Sequence, residues 1–160
     1  MLKILRVAIA TTCLLLLAAG PAQARKPKPS LAILGWTTEP IGTTPQVKNG
    51  GTIDTCVDTA NGQRNLFAVY KGKGIPKKTK VGVAVWGGPS NAGMTEEPSD
   101  ADVVKKAFGW PVGPKKSYTS RYGFSFAKGP FGPQNINGPW NAKITLKNKV
   151  VKRSTVTVAC

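Results

Sequence analysis

The chain has 160 residues, with 23 lysines and arginines against seven acidic groups, no histidine and a formal charge of +16. Its hydrophobic share of 41% is enough for a buried core, which separates it from charged disordered chains, and the length suits one domain. Without histidine neither a Ser/His/Asp nor a Cys/His catalytic arrangement can be built, and the commonest metal ligand is missing.

The amino terminus reads as an export signal over residues 1–24. Lys3 and Arg6 precede an apolar run from Val7 to Ala19, and Ala22, Gln23 and Ala24 supply a small-x-small cleavage site. The run is shorter than the ~20 residues a membrane span needs, so an uncleaved anchor is the weaker alternative, and Cys13 is expected to leave with the signal. Cleavage leaves 136 of the 160 residues, without a transmembrane segment, in a secreted or periplasmic setting. Two basic groups leave with the signal, so 21 remain against seven acidic ones, a net charge of +14.

Residues 25–30, with Arg25, Lys26, Pro27, Lys28 and Pro29, read as an extended, disordered basic arm with nothing to bury, and residues 31–160 as a single β-sandwich domain. Short apolar runs then alternate with Gly, Pro and Asn, the punctuation of an all-β chain. Leu31 to Thr37 and Thr52 to Thr59 are candidate strands, followed by Leu66 to Lys71 and by the alternating set Val81, Val83 and Val85. Residues 100–107 read as a short helix in a connection, capped by Ser99 or Asp100, with Asp102 four residues before Lys106 and with Val103, Val104 and Ala107 on one side. In residues 118–126, Tyr118, Tyr122, Phe124 and Phe126 fall opposite Thr119, Arg121 and Ser125. The clearest strand is 140–147, where Trp140, Ala142, Ile144 and Leu146 predict a buried face and Asn141, Lys143, Thr145 and Lys147 a wet one. A turn at Asn148 and Lys149 returns the chain through Val150 to Cys160 as a hairpin. About seven strands with turns between them predict an all-β, two-layer sandwich with one short helix.

Two cysteines, Cys56 and Cys160, remain after export, and an oxidising compartment favours a disulfide between them. Closing so long a loop stabilises by up to ~4.7 kcal/mol in the chain-entropy view. Thiol chemistry is the weaker alternative, since no Cys-x-x-Cys pair accompanies them. Strict alternation from Thr52 to Thr59 would put Cys56 on the face of Asp54 and Asp58, so its burial requires a bulge or two exposed faces nearby.

Gly138, Pro139 and Trp140, the alternating strand, the polar turn and the closing valine-rich strand together resemble the last hairpin of immunoglobulin-like or fibronectin-like sandwich domains of secreted bacterial proteins. The resemblance implies an immunoglobulin-like β-sandwich. It carries no functional residue over, and it departs from the antibody pattern because Cys160 closes the final strand instead of the one before it.

The candidate chemistry is binding by charge. Lys71, Lys73, Lys77, Lys78 and Lys80 surround the turn Gly74, Ile75 and Pro76, where five cations project from one end of the sandwich. Lys115 with Lys116, and Lys147, Lys149 and Lys152 with Arg153, are expected to spread charge elsewhere. Trp110 and Phe131 lie in Gly-Pro loops beside such groups, where exposed rings could stack on sugars or bases, or instead fold back to cap the core. Solubility and edge protection are the competing account of the lysines.

These features predict a non-enzymatic exported module, without a cofactor or bound metal, for an anionic envelope polymer or an envelope protein. The alternative is an accessory subunit that binds by strand addition. A glycan-active enzyme would need a facing pair among Glu39, Asp54, Asp58, Glu96, Glu97, Asp100 and Asp102, and the four acids from Glu96 to Asp102 follow no cation-loop spacing. Lysine outweighs arginine so strongly that specific nucleic-acid recognition is not expected.

Overall fold

The computed structural model describes residues 28–54, 64–89, 94–126, 128–129, 132–133 and 135–159. The residues read as an export signal, together with Cys56, Asp58, Phe131 and Cys160, lie outside the described residues. In chain order the strands are β1 (Ser30–Thr37), β2 (Thr52–Asp54), β3 (Arg64–Lys73), β4 (Lys80–Gly87), β5 (Phe108–Gly109), β6 (Tyr118–Phe126), β7 (Lys128–Gly129), β8 (Gly132–Pro133), β9 (Gly138–Leu146) and β10 (Lys149–Ala159), with one helix, α1 (Asp100–Lys105), before β5. The chain is mostly β, with two main sheets ordered β1-β3-β6 and β2-β10-β9-β4-β5, and a separate β7-β8 ribbon.

Period-two patterning explains the layers. Val81, Val83 and Val85 of β4 and Ala142 and Ile144 of β9 face the space between the sheets, opposite Leu66, Ala68 and Tyr70 of β3. This core has two ends. One gathers Trp36, Ile53, Leu66, Phe126, Ile136, Trp140, Val156 and Val158, with Phe124 against them. The other gathers Tyr70, Ile75, Val81, Val83, Trp110 and Ile144. Trp36 and Trp140 satisfy their indole N–H groups inside the first, Trp36 donating to Ser154 Oγ at 3.0 Å and Trp140 to the Ile136 carbonyl at 2.8 Å.

Most strands sit where the alternation placed them, and three departures have physical causes. The face of β9 expected to be wet is covered: Lys143 and Thr145 are 1% and 2% exposed, because residues 94–107 fold across that side of the sheet and set Val103 of α1 against Ala84 and Trp86. The β9–β10 turn lies one residue earlier than expected, at Lys147 and Asn148, whose positive φ values of 50° and 66° make the mirror-image turn that suits a twisted hairpin. Finally, β2 runs parallel to β10, pairing Ile53 with Val158 and Asp54 with Ala159, a long-range contact that local periodicity does not encode.

α1 ends at Lys105, short of the expected 107. Ser99 caps it, its Oγ accepting the Asp102 N–H at 3.2 Å and donating to Asp102 Oδ2 at 2.6 Å. The carboxylate of Asp102 pairs with Lys105 at 3.8 Å, not with Lys106.

Candidate functional site

The β3–β4 connection is held from below. Lys78 donates its N–H to the Trp110 carbonyl at 2.9 Å, Trp110 donates to the Thr79 carbonyl at 2.8 Å, and Thr79 donates to the Pro76 carbonyl at 3.2 Å. Ile75 and Trp110 are buried under the turn, at 0% and 1% exposure, while Lys77 and Lys78 project outward. Gly72 is needed beneath this plug, since a Cβ there would lie 2.5 Å from Trp110 Cζ2 and 2.7 Å from Ile75 Cδ1. Trp110 meets Tyr118 edge-on at 5.2 Å and stacks beside Phe108. Trp110 is therefore core and not an exposed stacking platform, because the Thr79 and Lys78 backbone bonds draw its segment inward.

The strand registers assemble a larger basic surface around this turn. Ser30 pairs with Lys73 and Gly72 with Tyr118, so Lys28, Lys71, Lys73, Lys115 and Lys116 share one end of the three-stranded sheet. Val81 pairs with Leu146 and Leu146 with Lys149, and the Lys147 N–H donates to the Lys80 carbonyl at 3.2 Å. The β9–β10 turn, with Lys147 and Lys149, thus lies beside Lys80 at the same end, and the expectation that those lysines spread charge elsewhere is corrected. Antiparallel order causes this: every second connection returns to the same end of a sandwich. Lys28, Lys71, Lys73, Lys77, Lys78, Lys80, Lys115, Lys116, Lys147 and Lys149 are all exposed. None of them enters a salt bridge among the described residues, whose ion pairs belong to Lys105, Lys143 and Arg153.

No family model, curated protein or solved structure matches this chain.

Two of the described carboxylates meet Lys143 of β9. Lys143 Nζ donates to Glu97 Oε1 at 2.9 Å, to the Pro98 carbonyl at 2.5 Å and to Asp100 Oδ1 at 2.7 Å, which uses its three protons, and it lies 5.8 Å from the Trp86 ring centre. Arg153 adds a 2.7 Å bond to Glu97. Burial pulls the Lys143 pKa down, but the Asp100 and Glu97 hydrogen bonds and charges outweigh it, and the net direction is up. Hydrogen bonds from Lys143 and Arg153 hold the Glu97 carboxyl below its ordinary range. Glu97 and Asp100 therefore anchor the crossing segment.

Arginine is also committed to structure. Arg121 donates to the Glu39 and Pro40 carbonyls at 2.9 Å and to the Thr43 carbonyl, pinning the loop after β1. Among the described residues the cations at the pole are lysines, flexible point charges suited to many anionic groups rather than to one planar one.

Proposed function

We propose that this chain is a non-enzymatic exported binding module that holds an anionic polymer at its lysine pole. One observation carries the reading: ten exposed lysines from separate turns and strand ends converge on one end without ion-pair partners among the described residues. Like charges so gathered repel one another and stabilise nothing on their own, whereas a polymer carrying phosphate, sulfate or carboxylate relieves the repulsion and releases its own counterions. The sheet order, with β2 parallel to the last strand, supports an immunoglobulin-like arrangement in which the loops of one end form the binding surface.

The test is a salt series. Long-chain polyphosphate binding is measured for the full mature chain, for K73Q/K77Q/K78Q and for K147Q/K149Q. Each neutralised contact is expected to reduce the log–log salt slope by about 0.7, so the triple variant loses about 2 and the double variant about 1.4. An unchanged slope in both variants would refute the pole as the site, and a loss confined to the triple variant would reduce the site to the β3–β4 turn.

A further inference from the structure

Two turns of the lysine pole depart from a rule that the rest of the chain keeps. Among the described residues eight glycines have positive φ, and one of them, Gly74, stands four residues before Lys78 in the same connection. The other positive-φ positions among the described residues are Lys78 at 66°, Lys147 at 50° and Asn148 at 66°. In this left-handed region an L side chain crowds the following carbonyl oxygen, so glycine and asparagine are the ordinary occupants and lysine is not. Thr79 donates its N–H to the Pro76 carbonyl at 3.2 Å, which makes Lys78 the third residue of a four-residue turn, a place that glycine ordinarily takes when φ is positive. Lys147 holds the first central position of the β9–β10 turn, where the favoured pair is Asn-Gly.

A charge kept for solubility has no need of such positions, since any exposed site carries it with the backbone relaxed. The two lysines are also neighbours. A Cβ on Gly109 would lie 3.4 Å from Lys78 Cα, Gly109 pairs with Lys80 on one side of β4, and the Lys147 N–H donates to the Lys80 carbonyl on the other. Lys78 and Lys147 therefore flank Lys80 about two strand spacings, or about 10 Å, from each other. Their backbones are fixed, one by the bonds of Lys78 and Thr79 to Trp110 and the other by the β9–β10 pairing, whereas Lys28 precedes β1 and Lys115 and Lys116 lie in the connection before β6. Charges on fixed elements keep their geometry for a ligand better than charges on loops.

We infer that Lys78, Lys80 and Lys147 form the binding centre of the pole, which takes a run of about three adjacent anionic groups of the polymer, one for each cation. This inference rests on the polymer-binding reading and narrows it from the whole pole to one point between two turns. At two of the three positions the charge is kept although the backbone conformation disfavours lysine, and the repulsion among the three is relieved when a polyanion lies between them. The outer lysines add attraction that follows net charge and is screened over about 8 Å at physiological ionic strength.

The probe is tripolyphosphate, titrated into the full mature chain, residues 25–160, with long-chain polyphosphate as a parallel arm. K78G and K147N each remove one charge and put a residue at home in the left-handed region in its place. K28Q and K116Q each remove one charge from the same pole and leave both turns as they are. K78G and K147N should raise the urea midpoint and weaken tripolyphosphate binding about tenfold each, while K28Q and K116Q should weaken it less than about twofold and K78R should bind like the wild type. Equal losses from all four single-charge variants, with steep salt dependence for long-chain polyphosphate retained, would overturn the binding centre and leave the polymer reading standing. Absence of salt-dependent binding of the long polymer by the wild type would overturn both. A lower urea midpoint in K78G, or a loss in K78R as large as that in K78G, would overturn the centre too, because the turn and not the charge would then account for the change.

Discussion

Replacing Lys143 by methionine keeps most of the buried stem and removes the ammonium, which lies 5.8 Å from the Trp86 ring centre. The three acceptors it leaves fare differently. Glu97 retains Arg153, and Asp100, at 60% side-chain exposure, can turn to water, so the main loss is the bond to the Pro98 carbonyl and the tether of the crossing segment. Because the ammonium's own desolvation cost disappears with it, K143M is expected to lower stability by about 1–2 kcal/mol. The converse variant, E97Q/D100N, leaves the ammonium in place, 1% exposed and without a countercharge. The amides keep an acceptor oxygen each but remove both negative charges from a buried cation, so this variant should be the less stable of the two. Urea unfolding followed by tryptophan fluorescence, with equal m-values, checks the order. Equal losses, or a larger loss in K143M, would refute the reasoning. The pH dependence gives a second check. Stability linked to Glu97, whose folded pKa is depressed, is present above the ordinary glutamate range and lost as pH falls through the depressed value. Stability linked to Lys143, whose folded pKa is raised, is present below the ordinary lysine range and lost as pH rises through the raised value. The gap between the wild type and K143M should therefore be flat near neutrality and close at both extremes.

The β9–β10 turn holds Lys147 and Asn148 at positive φ, so K147N/N148G should raise stability by about 1 kcal/mol, read as a higher urea midpoint, and a lower midpoint would contradict the turn assignment. β2 and β10 run side by side to Asp54 and Ala159, two residues before Cys56 and one before Cys160, and neighbouring strands are about 4.8 Å apart. Intact mass of residues 25–160 produced in an oxidising compartment, with and without alkylation, should therefore show both thiols consumed, and two alkylated cysteines would reject the bond.

The sequence by itself determined the strands and the kind of chemistry available. Alternation in Val81 to Val85, in Tyr118 to Phe126 and in Trp140 to Leu146 is local, and each stretch turns its apolar set toward a core, Tyr122 at 43% exposure excepted, because burial acts on neighbours two apart. The missing histidine and the excess of lysine likewise need no fold to be read. Tertiary structure alone decided where the groups meet. Lys73, Lys116 and Lys147 are far apart in the chain, and only antiparallel order and register bring them to one end. Lys143 stands at a position that alternation reads as wet, and it is buried because a distant segment carrying Glu97 and Asp100 crosses it. Trp110 could have stacked on a ligand or capped the core, and backbone bonds from Lys78 and to Thr79 decided for the core. Periodicity reports which face of a strand is apolar; what covers the other face, and what borders the edge, is set by contacts between residues distant in sequence.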